Sequence, residues 1–131
     1  MILLDTHAWL WLGTNPRRLS ATAAAAVSTA LGAGGIAIAS VTLLEIAWLM
    51  AHGRLRLHGS PETLLTELVE KTGVVIKEVT PVVAAIFTQI PEEFGRDPVD
   101  RIIAATARAE GLPLVTRDAK LRRSRLVETV W

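Results

Sequence analysis

The sequence predicts an α/β fold, a three-layer α/β/α sandwich in which helices cover both faces of a short parallel sheet of four to five strands. Short apolar segments, too brief for helices, alternate along the chain with longer segments of helical pattern. This alternation is typical of parallel strand pairing. The strand segments are short and mostly made of apolar residues, as expected when both faces of a sheet are covered.

Each element follows from a local signal. Apolar or β-branched runs predict strands at residues 2–5, 36–39, 74–79, 114–116 and 127–130. Helices that begin at a capping residue or a proline, and in several cases end at a glycine, are predicted at residues 6–12, 20–31, 42–52, 60–71, 80–89, 97–110 and from 118 onward. No repeat or low-complexity linker interrupts the chain, so we expect a single domain spanning residues 1–131.

The composition excludes several classes of protein. The chain has no cysteine, which rules out disulfides and thiolate metal sites and fits a reducing compartment. Residues 30–51 hold a single charge, Glu45, and are long enough to span a bilayer. Three glycines interrupt this segment, however, and a carboxylate near a bilayer centre is costly. We therefore expect a soluble, cytoplasmic protein rather than a membrane protein.

The aspartates of the chain can be explained either as helix caps or as parts of a functional site. Asp97 and Asp100 have the spacing of a near capping box, and Asp118 can cap the helix that follows it. The pair Thr42 and Glu45 has the same capping-box spacing. Helix capping is thus a sufficient explanation for each of these acids taken alone.

Asp5 is different, because it ends a predicted buried strand, where a carboxylate is costly unless something compensates for it. Glu45 lies one helical turn beyond the second strand, and Asp118 lies two residues past the fourth. Since the carboxyl ends of parallel strands share one edge of a sheet, these acids should meet there. Asp100, in the first turn of the helix before the fourth strand, joins them if that helix starts at the same edge.

Four converging carboxylates repel one another and would raise each other's pKa values unless a cation is present. All-oxygen ligands favour hard cations, so one or two Mg²⁺ or Mn²⁺ ions are expected. Zinc is not expected without cysteine or paired histidines.

Four segments in order resemble the acidic motifs of PIN-domain proteins: Leu-Leu-Asp-Thr-His at the start, Thr-Leu-Leu-Glu-Ile-Ala, Asp-Pro-Val-Asp-Arg-Ile-Ile-Ala-Ala-Thr-Ala, and Leu-Val-Thr-Arg-Asp. In length and motif order the chain most resembles VapC-like toxins of toxin–antitoxin pairs. The resemblance implies that Asp5, Glu45, Asp100 and Asp118 bind Mg²⁺ or Mn²⁺ and support RNA cleavage. It also implies that Thr116 lines the catalytic site and that a small antitoxin blocks it.

These residues predict an endoribonuclease in which bound metal activates a water molecule for attack on phosphorus, leaving 5′-phosphate ends. Asp5 and Asp100 would hold the principal ion, with Glu45 and Asp118 completing its shell or binding a second ion. A metal-free mechanism would need paired acid–base side chains, and the three histidines form no clear pair. His7, two residues after Asp5, is expected to pack near the site or to support it.

Basic residues flank two of the acids. Arg101, Arg117 and Lys120 are candidates for RNA binding through backbone phosphates. Simple charge balance or a solvated helix face explains the same residues equally well.

The chain is also unusually apolar for its size, with a mean hydropathy of +0.38. Trp9, Trp11 and Trp48 lie in apolar helical segments, where core packing or a subunit interface is expected, and base stacking stays open. We predict a homodimer, with the helices at residues 6–12 and 42–52 as contact elements.

Four other functions are alternatives to a ribonuclease. A non-catalytic RNA-binding module and a DNA nuclease of the same fold share every motif, so only assays separate them from a ribonuclease. A HAD-type phosphatase needs a second aspartate where this chain has His7, and a response-regulator receiver needs an acidic pair that is absent.

Overall fold

The computed structural model describes residues 1–131 and contains one five-stranded, all-parallel sheet with strand order β3-β2-β1-β4-β5. The strands are β1 (Ile2–Leu4), β2 (Ile36–Ala39), β3 (Val75–Lys77), β4 (Leu114–Val115) and β5 (Thr129–Val130). The helices are α1 (Thr6–Thr14), α2 (Ala21–Gly32), α3 (Val41–Ala51), α4 (Pro61–Thr72), α5 (Pro81–Gln89), α6 (Pro98–Glu110) and α7 (Ala119–Arg123), with 3₁₀ turns at Pro16–Arg18 and Glu92–Phe94. The predicted fold class is confirmed.

The sheet separates two apolar cores, because successive strand side chains point to opposite faces. Leu4 of β1 belongs to the core under helices α1 to α4, whereas Leu3 belongs to the core under α5, α6 and α7. The same alternation runs through β2, where Ile36 and Ile38 face the first core and Ala37 faces the second. Helices on both faces give the predicted α/β/α sandwich.

Most helices begin where the sequence predicts. The side chains of Ser20, Ser60 and Thr80 each accept a hydrogen bond from the backbone N–H three residues on, and so cap α2, α4 and α5. Proline occupies the first position of α4, α5 and α6, where its missing N–H costs nothing.

The start of α3 differs from the prediction. The expected capping box of Thr42 and Glu45 is wrong, since α3 begins at Val41 and its cap residue, Ser40, is already helical and makes no capping hydrogen bond. Thr42, the second residue of α3, is fully buried and its hydroxyl lies 3.2 Å from that of Thr6 in α1. Because Thr42 is not the cap residue of α3, Glu45 is not part of a capping box.

Most residues of helix α1 are buried in the core. Trp9 is fully buried and its indole N–H donates to the Thr72 hydroxyl of α4 at 2.9 Å. Of the two helices expected to mediate subunit contacts, only α3 exposes large apolar side chains, with Leu44 70% and Trp48 51% exposed.

Hydropathy along the helices gives no membrane element. None of them combines the length and the apolar character that crossing a bilayer requires.

A candidate metal centre at the carboxyl edge of the sheet

The carboxyl ends of the central strands open into a polar cavity of about 580 Å³. Five carboxylates line it: Asp5, Glu45, Asp97, Asp100 and Asp118. They come from the segments after β1, β2 and β4 and from the start of α6, so α6 begins at the edge where the central strands end. The geometric condition on Asp100 that the sequence left open is therefore met.

Asp5 follows β1 directly, and its position is fixed from several sides. Its backbone N–H donates to the Val115 carbonyl at 3.0 Å, and its side chain accepts from the Ala8 N–H at 2.7 Å, capping α1. Burial raises the pKa of Asp5, while hydrogen bonds from Thr116 and Ala8 oppose that rise. The charged form of this buried carboxyl is therefore costly unless a cation compensates for it.

Thr116 accounts for part of this arrangement. It is fully buried at the end of β4, and its hydroxyl oxygen accepts the Asp118 N–H at 3.1 Å. The same hydroxyl is hydrogen-bonded to Asp5, which lowers the pKa of Asp5. Thr116 thus links the two aspartates that follow the neighbouring strands β1 and β4.

Two further aspartates also cap helices. One oxygen of Asp118 accepts the N–H groups of Lys120 and Leu121, at 2.8 and 3.0 Å, at the start of α7. Asp97 accepts the Val99 N–H at 2.9 Å at the start of α6. Together with Asp5 on α1, three aspartates of the cavity hold helix N-termini, whose partial positive charge favours a carboxylate.

Asp100 has no such support. Its side chain makes no hydrogen bond, and it lies half-buried in the first turn of α6. Desolvation, followed by the negative charges of Asp97, Asp118, Glu45 and Asp5, raises its pKa to about 7. The pKa of Asp100 is raised both by burial and by the negative charges of all four other carboxylates of the cavity.

Glu45 reaches the cavity from the second turn of α3. Burial raises its pKa, a hydrogen bond from Thr6 lowers it, and the charges of Asp97 and Asp5 raise it again. The raised pKa values of three neighbouring carboxyls have one common cause, which is negative charge enclosed away from water.

The donor set fits a hard divalent cation. All five acidic groups offer oxygen, no cysteine exists, and the only histidine on the cavity wall is the exposed His7. No three acidic or histidine side chains stand close enough to form a ready-made ligand cage. The side chains would therefore have to close around an ion.

The three predicted RNA-binding cations lie in different places. Arg117 is exposed and lines the cavity, whereas Lys120 lines a neighbouring one beside Phe94 and Arg123. Arg101 lies outside both cavities. Its guanidinium donates to four backbone carbonyls. Three belong to residues between α5 and α6, namely Ile90 at 2.6 Å, Gly95 at 3.1 Å and Pro91 at 3.2 Å, and the fourth is that of Phe87 in α5 at 3.5 Å. These hydrogen bonds give Arg101 a structural role, which is to hold the segment between α5 and α6.

Sequence reasoning missed three charged residues of the cavity. The sequence predicts only a capping role for Asp97, and the signal that places it in the cavity is its position three residues before Asp100 at the same helix start. Arg18 and Arg54 also line the cavity, from the turn after α1 and the loop after α3. Nothing in their local sequence indicates this, because loop paths decide it.

The tryptophans divide into buried and exposed ones. Trp9 belongs to the core, and Trp11 is almost buried, with its ring 5.7 Å from that of His7 and 5.8 Å from that of Trp131. Trp48 is half exposed on α3 and stacks on His52 at a centroid distance of 4.0 Å.

Parallel α/β sheets bind ligands at the carboxyl ends of their strands, and this protein has its acidic cavity at that edge. Residues 2–125 match the PIN domain family, and this chain belongs to it. It is 38% identical to Ribonuclease VapC22 of Mycobacterium tuberculosis, over 99% of this chain and 98% of that protein. The predicted family membership is confirmed.

Solved structures support the fold. The chain resembles VapBC2 from Rickettsia felis bound to a DNA fragment from their promoter, with a TM-score of 0.72 and 18% identity over 98% of this chain and 97% of that one. It also resembles FitAcB from Neisseria gonorrhoeae, with a TM-score of 0.65 and 26% identity over 98% and 96% of the two chains.

Proposed function

We propose that this chain is a Mg²⁺- or Mn²⁺-dependent endoribonuclease, consists of one PIN nuclease domain over residues 1–131, and acts as the toxin of a toxin–antitoxin pair in the cytoplasm. The observation that carries the proposal is the cavity at the sheet edge, which five carboxylates line and in which three of them have raised pKa values. The 38% identity to Ribonuclease VapC22 along nearly the whole chain supports RNA as the substrate.

Asp5 and Asp100 would hold the principal cation, and Asp118 and Glu45 would complete its shell or take a second ion. Such an ion, when bound, lowers the pKa of water and offsets negative charge on the phosphate oxygens. Asp5 and Asp118 are suited to this role because each uses one oxygen to accept helix N–H groups. The cap fixes the carboxyl group, and the second oxygen remains available.

The other residues orient or bind. Thr116 is a positioning residue that joins Asp5 to the Asp118 backbone and helps to keep Asp5 ionised. Arg117, on the cavity wall, would contact a phosphate of the RNA backbone. Lys120, in the neighbouring cavity, would contact the backbone farther along the strand.

The partners follow from the VapC-like resemblance and from the surface of α3. Val41, Leu44 and Trp48 form, with Pro98 and Val99 at the start of α6, an apolar groove of about 1030 Å³ that shares Glu45, Arg54 and Asp97 with the acidic cavity. Large apolar grooves mark contact surfaces. We assign the exposed α3 face to a homodimer or to the antitoxin. Light scattering of Leu44→Glu, with and without an antitoxin encoded beside this chain, separates the two.

Cleavage of single-stranded RNA tests the proposal. Wild type should cut RNA in Mg²⁺ or Mn²⁺ and not in EDTA, and Asp5→Asn, which keeps a capping side chain, should lose the activity without losing the fold. Glu62→Gln, an exposed acid in the first turn of α4, is the matched control and should cut normally.

The same assay decides between the rival functions. RNA binding without cleavage in either metal would indicate a non-catalytic RNA-binding module. Preferential cleavage of an equivalent DNA strand would indicate a DNA nuclease. Cleavage that persists in EDTA would refute metal dependence.

A further inference from the structure

Three guanidinium groups, those of Arg18, Arg54 and Arg117, line the acidic cavity together with its five carboxylates. None of them forms an ion pair with any carboxylate, since the one salt bridge of the protein joins Lys77 to Glu110 elsewhere. Arginines that share a cavity with acids and yet stay unpaired keep their charge for a ligand. Fully ionised, the carboxylates would still exceed the guanidinium groups by two charges.

Arg18 and Arg54 share a second feature, which Arg117 lacks. The Arg18 guanidinium carbon lies 4.5 Å from the centroid of the Trp11 ring, and that of Arg54 lies 5.7 Å from the Trp48 ring. Cation–π contact restrains a guanidinium while leaving its N–H groups free. The almost buried Trp11, which also packs against Trp131, gives Arg18 a rigid support.

Arg101 provides the contrast within this chain. It too lies over an aromatic ring, that of Phe87 at 5.4 Å, but its N–H groups donate to four backbone carbonyls. The side chains of Arg18 and Arg54 donate no hydrogen bond within the protein, and both residues are exposed. All their donors therefore point to solvent or to a bound partner.

We propose that Arg18 on Trp11 and Arg54 on Trp48 are two phosphate-binding subsites for the RNA backbone, reaching the cavity from the turn after α1 and from the loop after α3. A phosphodiester strand fits this arrangement because it presents one negative charge per nucleotide beside a cavity suited to a cation. Planar guanidinium groups bind phosphate oxygens through paired N–H donors. This inference rests on the proposed function and deepens it by naming the residues that hold the substrate.

Binding without metal tests the inference separately from catalysis. Fluorescence anisotropy of a labelled single-stranded RNA in EDTA, between about 50 and 200 mM salt, should show a salt slope lower by about 0.7 for Arg18→Gln and for Arg54→Gln. A slope of this size corresponds to roughly fivefold weaker binding for each variant at 0.1 M salt, and about 25-fold for the double variant. In Mg²⁺ the same variants should raise KM by similar factors.

Arg17→Gln and Arg56→Gln are matched controls, since each removes an exposed arginine one or two residues away that does not line the cavity. Both should leave the slope and KM unchanged. Trp48→Leu keeps the Arg54 charge, so it should preserve the salt slope while weakening binding about threefold, with Trp48→Phe restoring most of the affinity.

Two results would overturn the inference while leaving ribonuclease activity intact. One is wild-type cleavage with the slope and KM of the Arg18 and Arg54 variants unchanged. The other is an equal loss in the Arg17 and Arg56 variants, which would indicate only general charge attraction. Loss of antitoxin binding with normal RNA binding would assign the arginines to a protein partner instead. If wild type cuts no RNA yet shows the predicted slopes, the proposed catalysis fails and the subsites stand.

Discussion

Replacing Asp100 by asparagine should stabilise the metal-free protein, although it removes a residue from the proposed metal centre. The Asp100 side chain accepts no hydrogen bond, and its pKa is raised to about 7 by desolvation and by the four surrounding carboxylates. Because the folded-state pKa lies above the unfolded value, the folded protein holds this proton more tightly. Stability is therefore highest below about pH 4 and falls as the pH rises toward 7.

The size of the effect follows from the shift. A rise from 3.8 to about 7 corresponds to roughly 4 kcal/mol in the free energy of unfolding at face value. Asp100 is only half-buried, so solvent screening reduces this to about 2 kcal/mol. Losing a negative charge from the first turn of α6 costs about 0.5 kcal/mol of stability, which offsets part of the gain. Asp100→Asn should then gain about 1–2 kcal/mol at pH 8, or roughly 3–8 °C in Tm.

Thermal unfolding in EDTA at pH 8 and pH 5 measures this directly. The gain should be smaller at pH 5 than at pH 8, because part of the wild-type Asp100 is protonated at the lower pH, and Mg²⁺ should stabilise wild type more than the variant. Glu62→Gln loses the same kind of helix-terminal charge without relieving repulsion, so it should lower Tm slightly. A Tm of Asp100→Asn at or below wild type in EDTA at pH 8, or an equal Mg²⁺ shift in both proteins, would refute the reasoning.

Three further predictions concern single side chains. Thr116→Val removes a hydrogen bond that lowers the pKa of Asp5, so the acidic limb of the pH–cleavage profile should move to higher pH, and stability should fall by about 1–2 kcal/mol; an unmoved limb would contradict the link. Arg101→Gln should cost about 1–3 kcal/mol in urea unfolding while leaving KM for RNA unchanged, whereas a raised KM with unchanged stability would restore its RNA-binding role. Gly13→Ala would place a methyl group against the buried Leu68 side chain and should lower stability by about 1 kcal/mol in the same unfolding assay, and a stabilised variant would show that Leu68 can move aside.

The fold was predictable because its signals are local. Ser20, Ser60 and Thr80 cap the helices that the sequence assigned to them, and β2 has the predicted bounds. The start of α3 was not predictable, because Thr42 has the residue type and spacing of a capping residue but is buried against Thr6. That contact joins residues far apart in sequence, which no local pattern contains.

The site was predictable where strand ends position a residue. Asp5 and Asp118 follow neighbouring strands, so parallel pairing alone brings them together. Arg101 shows the opposite case, since its charge next to Asp100 suggested RNA binding, but its side chain turns toward the loop carbonyls between α5 and α6. The direction of a long, flexible side chain depends on tertiary partners, and sequence spacing does not report it.

The dual use of aspartates has a consequence for how this protein tolerates mutation. At Asp5, Asp97 and Asp118 the group that could serve chemistry is the same group that starts a helix. Alanine at these positions would remove a helix cap as well as a negative charge of the cavity. An inactive alanine variant would therefore not show whether catalysis or folding was lost. Asparagine keeps the capping oxygen and removes only the charge. The asparagine variants can therefore separate an effect on catalysis from an effect on folding.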